Sequence, residues 1–414
     1  MILLWQIAIS HLWGRKRQTL VSVLGVAMGV GFSIAMASLM EGSQRDFISR
    51  VVDYLPHVII KDEFRVPPKQ AATIFFPDAA VDVRGIKPRE EERGIKEAAN
   101  KVEFLESVPS LKVAPALRGQ VFLRYGGKDA TVSIVGIEPD RERNATRIEK
   151  DIIQGGLNSL YGAPNGMIIG QGLAKKMGIG MNATLTAVSS AGVTLKMKVV
   201  GIFRTGIISV DQSEVYVLMK KSQIIQNRSN AINQIRIRLE NAELAQSVAR
   251  DIESRWGYKT ESWQESNEGF LGAFEVRNAV MFITVSAILI VASFGIFNIV
   301  STVVHEKYRD IAILKSLGFE TRNISQIFLF EGLMLGILGA FLGWALGFCL
   351  CFGLSQVRFK IQMLTEMQGF VLYYSVWHYV LSGGLALFSA SFAAYLPARK
   401  AARLNPVEII RGAA

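Results

Sequence analysis

The fold class this sequence predicts is an α-helical membrane protein with four transmembrane helices in a 1+3 order and a large α+β extracytoplasmic domain. Three observations predict it. A single apolar segment, Thr19–Met40, stands ahead of a polar stretch of more than two hundred residues. Three further apolar segments, about Val280–Val304, Ile324–Phe352 and Trp377–Leu396, crowd the C-terminal third. Between them, short β-like runs mix with amphipathic helical patterns. A helix of 22 residues rises roughly 33 Å, enough to cross a hydrocarbon core of about 30 Å. The boundaries expected are an amphipathic segment at 1–18, membrane helices at 19–40, 276–304, 324–352 and 377–398, and the α+β domain at 41–275. A cytoplasmic loop at 305–323, a short outer loop at 353–376 and a cytoplasmic tail at 399–414 complete the chain.

Ile2–Gly14 is apolar, with Trp5, His11 and Trp13 interspersed. It reads either as a helix along the inner membrane surface or as the first turns of a longer helix. The apolar run that follows is longer than a signal-peptide core and lacks a clear small-residue cleavage site, so it reads as an uncleaved anchor. Orientation follows from charge. Arg15, Lys16 and Arg17 precede the first membrane helix, Lys307, Arg309, Lys315 and Arg322 lie between the second and third, and Arg399, Lys400, Arg403 and Arg411 follow the fourth. The third-to-fourth connection holds only Arg358 and Lys360. Basic residues stay inside, so both termini and the second-to-third loop are cytoplasmic and the large domain lies outside, at the inner membrane. The net charge of +11 is then largely topology signal, and nucleic acid is not an expected partner.

In the polar stretch, His57–Lys61, Val121–Tyr125, Ala130–Ile137, Met167–Ile169, Thr184–Val188, Thr194–Phe203 and Val215–Met219 read as strands. Gly126-Gly127 marks a hairpin turn. Gln234–Glu240 alternates strictly, which predicts one buried and one wet face. Leu244, Val248, Ile252 and Trp256 recur every four residues, a helix with Asn241 available as its cap. Phe64–Lys96, with Pro67, Pro68, Pro77, Pro88 and the charged run Arg89–Arg93, reads as a loop or insertion leading into a helix. The two cysteines, Cys349 and Cys351, fall in the third membrane helix and face apart, so the outer domain has no disulfide framework.

Searches for catalytic chemistry come back empty. No GxxxxGK[ST] loop occurs, and Gly170-Gln-Gly172-Leu-Ala-Lys175-Lys176 lacks the Ser or Thr after Lys. His305-Glu306-Lys307-Tyr308-Arg309 lacks the second His of a zinc protease. His11, His57, His305 and His378 lie in different compartments, and no GxSxG elbow is present. No metal site and no catalytic residue are expected. Glu331 is an ionisable residue inside a membrane segment, read as a proton or substrate site or as a structural hydrogen-bond partner. Arg277 reads as a snorkelling anchor. Gly25/Gly29, Gly332/Gly336 and Gly339/Gly343/Gly347 are close-packing seams.

The strongest local signal is His305–Phe319, HEKYRDIAILKSLGF. Ile311, Leu314, Lys315 and Leu317/Gly318 make a short amphipathic helix with a charged entry and a glycine stop. It suits docking on a cytoplasmic protein or lying on the membrane.

EKYRDIAILKSLG after an apolar helix resembles the signature of FtsX/MacB-type ABC transporter permeases. EGLMLGILGAFLGWALG and LPARKAARLNPVEIIRG are similar to later motifs of the same family. Phe297-Asn298-Ile299, ESWQESNEGFLGAF, LPHVIIK, VAPALRGQVFL, VGIEPDRE and VGIFRTGIISVDQSEVYVLM resemble segments of its LolC/LolE lipoprotein-releasing branch, in the same order. The 64–96 stretch has no counterpart. The resemblance implies a permease without its own ATPase activity. It implies a coupling helix bearing Glu306, Lys307, Arg309, Asp310, Ile313, Leu314, Lys315 and Gly318 against a cytoplasmic ABC ATPase, which uses ATP and Mg. It further implies a second permease subunit, identical or paired, a lipoprotein or other amphiphile as substrate, and a periplasmic carrier. In that branch the first and second membrane helices line the substrate cavity, which places Phe32, Met36, Met40, Phe282, Phe294 and Phe297 as candidates here. An exporter of another amphiphile and a transmembrane signalling subunit are the rival expectations.

Overall fold

The structure is a computed structural model and describes residues 2–65, 75, 94–357, 361–362, 366–367 and 369–404. The calls on Pro67, Pro68, Pro77, Pro88, Arg89–Arg93, Arg358, Lys360 and Arg411 lie outside the described residues. The chain divides into two compact units. One comprises Met1–Asp46, Gly272–Phe359 and Gln368–Ala414; the other comprises Phe47–Leu271 and Lys360–Met367.

The helical unit is built on α1 (Ile2–Gly14), α2 (Lys16–Tyr54), α3 (Glu268–Glu306), α4 (Tyr308–Ser316), α5 (Thr321–Gln356) and α6 (Val376–Ala402). Four of these, α2, α3, α5 and α6, are long and apolar enough to cross a membrane. They exceed the predicted spans because polar flanks such as Glu41–Arg50 continue the helix. α2, at 39 residues, rises about 58 Å.

α1 is a separate helix, ended by a turn at Arg15, where Thr19 Oγ1 donates to Leu12 O at 3.2 Å. Ala8 and Leu12 are buried, and Trp5 stacks on Phe330 of α5 with ring centroids 4.9 Å apart. The segment is thus a separate helix and not the first turns of α2, and one of its faces is covered by α5. Arg277 does not simply snorkel: its Nη2 donates to Met40 O at 2.9 Å, tying α3 to α2.

The glycine seams of α5 face two partners. Gly332 and Gly336 meet Ala394 and Ala390 of α6, while Gly339, Gly343 and Gly347 meet Val26, Val30 and Ile34 of α2. A methyl group at Gly343 would lie 2.5 Å from Val30 Cβ and 3.0 Å from Ala27 O. Because one obstacle is backbone, Gly343→Val is expected to cost about 3 kcal/mol or more by overpacking. Fluorescence-detected gel filtration of the detergent-solubilised chain after heating should show an earlier loss of the monodisperse peak, with Gly353→Val, which meets nothing within 4 Å, unchanged.

The second unit is α+β. Its strands are β1 (Val58–Lys61), β2 (Leu111–Tyr125), β3 (Lys128–Ile137), β4 (Ile152–Gly155), β5 (Gly166–Gly170), β6 (Thr184–Ser189), β7 (Thr194–Phe203), β8 (Glu214–Leu218), β9 (Gln234–Leu239) and β10 (Thr260–Ser262). They form a mixed sheet in the order β10-β1-β9-β2-β3-β8-β5-β7-β4, with β6 pairing β2 and β7. The β2–β3 hairpin turns through Gly126 and Gly127 at φ +55° and +79°, as a two-residue primed turn requires. β2 starts ten residues earlier than expected. Its Pro115 lies just outside the stretch paired with β3, which begins at Ala116, so the missing N–H breaks no bond on that side.

Besides a third group around Ile137, Leu160, Ile168 and Phe203, two apolar groups flank this sheet. One gathers Val58, Ile60, Val102, Leu105, Ile235 and Ile237 under the helices Ala98–Glu106 and Ala245–Trp256. The other gathers Val121, Ile134, Met167, Leu173, Val199 and Val217. Asn241 caps the short 3₁₀ turn Ala242–Leu244 by accepting from Glu243 N at 2.9 Å, and the α-helix begins only at Ala245. Its buried face runs through Ala245, Ala249 and Ile252, and Leu244 is exposed, which corrects the predicted stripe.

Candidate functional site

α4 is the short helix between the second and third membrane helices. Ile311 and Ala312 are buried, and Leu314 packs beside them. Lys315 Nζ donates to Ala402 O and Leu404 O, both at 2.7 Å, at the C-terminal end of α6. That end carries the negative pole of the helix dipole, so the ammonium is well placed there. Glu306 pairs with Arg15, and Lys307 Nζ sits 2.7 Å from Asp310 Oδ2. Gly318 follows the helix at φ +94°.

What remains outward is a stripe of Arg309, Ile313 and Leu317 at i, i+4 and i+8. Arg309 is exposed, Ile313 is 54% and Leu317 72% exposed. The eight predicted coupling residues thus separate into those fixing the helix (Leu314, Lys315, with Ile311), those paired with a neighbour (Glu306, Lys307, Asp310), the stop (Gly318) and the outward pair Arg309 and Ile313. Leu317 completes the stripe and was not among the eight. Its spacing of four from Ile313 was the available signal.

Of the cavity candidates, Phe32, Phe282 and Phe294 are exposed, Met36 and Met40 are half-buried, and Phe297 packs against the helical core. α3 shows outside this chain a broad apolar face through Val280, Ile283, Ile290, Val291 and Phe294. Glu331 is 1% exposed and lies 3.7 Å from His11 Nδ1 of α1, and neither of its carboxylate oxygens has a hydrogen-bond partner among the described residues.

The α+β unit holds a polar cluster that sequence reasoning missed. The face of β9 predicted to be wet is covered. Arg236 is 5% exposed, and its Nη1 donates at 3.0 Å to Oε1 of the fully buried Glu142, in the helix Pro139–Ala145. Thr146 Oγ1 donates to the same oxygen at 3.0 Å. Arg238 Nη1 donates to Asp53 O at 2.9 Å. Nearby, Glu214 forms an ion pair with Arg118 at 2.7 Å and accepts from Tyr216 Oη at 3.1 Å. Arg118, Asp151, Glu214, Tyr216 and Arg236 line a cavity of about 60 Å³. No local pattern joins Glu142 to Arg236, which lie 94 residues apart.

Burial pushes the Asp151 carboxyl up to about 6, only partly opposed by Arg147 and reinforced by Asp211. This folded value lies above the ordinary 3.8, so the contribution to stability is present below pH 3.8 and lost as pH rises to about 6. The ionised group then costs up to about 3 kcal/mol at neutral pH. Local opening free energies from hydrogen exchange at β4 and the end of β7 should fall across that window in the wild type and stay flat in Asp151→Asn.

Four membrane-length helices among the described residues, a short loop helix with an outward stripe and an α+β unit define a multi-pass membrane protein. Residues 19–255 match the MacB-like periplasmic core domain, and residues 282–406 match the FtsX-like permease C-terminal domain. The chain belongs to the FtsX/MacB family of ABC transporter permeases; it is an inner-membrane protein with its α+β unit in the periplasm. It is 25% identical over 438 residues to the lipoprotein-releasing system transmembrane protein LolC of Neisseria meningitidis serogroup B, covering 98% of both chains. It is 25% identical to the LolC protein of Xylella fastidiosa, covering 95% of this chain and 93% of that one. It is also 24% identical to the macrolide export ATP-binding/permease protein MacB of Vibrio parahaemolyticus, over 98% of this chain but 59% of that protein.

Proposed function

We propose that this chain is the permease subunit of a lipoprotein-releasing ABC transporter, drawing acylated proteins out of the inner membrane with ATP hydrolysed by a separate cytoplasmic subunit. The observation that carries this reading is the 25% identity to LolC-named relatives over nearly their whole length. The lack of a nucleotide-binding loop in these 414 residues supports assigning hydrolysis to a partner. The outward stripe of Arg309, Ile313 and Leu317 is the docking face for that ATPase, held in place by Ile311, Leu314 and Lys315. A second permease subunit, identical or paired, covers the apolar face of α3. Phe32, Met36, Met40, Phe282, Phe294 and Phe297 border the lipid route, and a periplasmic carrier receives the product.

Energetics support such a division of labour. Each buried CH₂ is worth about 0.8 kcal/mol, so baring a three-chain anchor to water costs on the order of 35 kcal/mol. Extraction therefore needs an apolar route, an apolar acceptor and an external energy source. Depletion of the chain tests the reading: mature lipoproteins should accumulate in the inner membrane. Unchanged lipoprotein sorting with new sensitivity to an amphiphilic compound would instead indicate an exporter of the MacB kind, the reading favoured by the MacB-named relatives.

A further inference from the structure

The angle between α1, α2 and α5 takes no part in the reading above. There a groove of about 520 Å³ opens sideways, lined by Ile9, Leu12, Leu20, Val23, Leu338 and Leu342. Lys16 is part of the lining, with Nζ 5.1 Å from the centre of the exposed Trp13 ring, and the exposed Arg17 follows it in the chain, outside the lining. Arg15 pairs with Glu306, but neither Lys16 nor Arg17 has a carboxylate partner among the described residues. From Lys16 to Val23 the groove follows two turns of α2, about 10 Å.

An apolar groove in a bilayer selects nothing by itself, because lipid tails are as apolar as leucine. Selection comes from the charge. A lysine in the lining, an exposed arginine next to it in the chain and a Trp ring beside the lysine complement an amphiphile with an anionic head and a straight chain. We propose that this groove binds an anionic phospholipid of the cytoplasmic leaflet. Lys16 and Arg17 hold its phosphate, and one acyl chain lies along Leu20, Val23, Leu338 and Leu342. The lipid wedges α1 against α2 directly beside the Arg15–Glu306 pair, at the entry to the cytoplasmic loop.

Each cation contributes about fivefold near an anionic headgroup, so the pair gives roughly 25-fold preference over a zwitterionic lipid. Native mass spectrometry of the full chain, exchanged into mixed phosphatidylglycerol and phosphatidylethanolamine, reads this directly. The wild type should retain phosphatidylglycerol with about that preference. Lys16→Gln with Arg17→Gln should bring retention near parity without loss of phosphatidylethanolamine. Photoactivatable phosphatidylglycerol should label Leu338 and Leu342 in the wild type and lose that labelling in Leu20→Trp, which fills the groove. Equal retention of both lipids by the wild type, a preference that survives the double substitution, or a cross-link from Leu338 to another protein helix would each overturn the proposal.

Discussion

Chains carrying Arg309→Glu together with Ile313→Glu are expected to insert normally and to hold no ATPase. The two positions share one outward stripe of α4, and neither supports the helix itself. Ile311 and Ala312 are buried on the other side, and Lys315 is tied to the end of α6. An apolar side chain 54% exposed beside a free arginine has the make-up of an interface anchor. Losing such an anchor costs about 2 kcal/mol or more, and two acting together weaken docking roughly a thousandfold. Co-purification of the ATPase from solubilised membranes measures this, with membrane content of the chain as the folding control. Retained ATPase at wild-type stoichiometry would remove the docking assignment.

The second large effect lies in the α+β unit. Arg236→Met leaves the Glu142 carboxylate fully buried with only Thr146 beside it, and breaking a buried pair from one side costs about 3–5 kcal/mol. The same change made together with Glu142→Met removes both charges and is expected to be near neutral. Limited proteolysis of the full chain should therefore cut the single variant quickly around residues 139–151 and spare the double variant. Equal sensitivity of the two would mean that volume, not charge, governs the site.

Much of the architecture was legible in the sequence because a membrane span has one dominant requirement, an unbroken apolar run. The helix ends were less legible. Polar residues such as Glu41 and Arg45 continue a helix as readily as they end an apolar stretch, and they pair with each other at i and i+4. In the α+β unit the Gly126-Gly127 hairpin and the alternating β-runs stood out. The first half of β2, which contains Pro115 and Gly119, was not among the expected strands. Gly119 lies against the amide end of Gln226, a flexible side chain that has to shift before a larger residue can enter.

The outward stripe of α4 was half visible. Arg309 and Ile313 follow from the motif; the bonds of Lys315 to Ala402 O and Leu404 O do not. The Glu142–Arg236 pair and the packing of α1 on Glu331 depend on contacts across 94 and 320 residues, which no local pattern encodes.

ATP turnover by the purified chain in proteoliposomes, alone and then joined to its ATPase, decides whether this polypeptide is a passive permease. No hydrolysis alone, and hydrolysis with lipoprotein release once the ATPase is bound, is the expected result. Hydrolysis by the unaccompanied chain would contradict it.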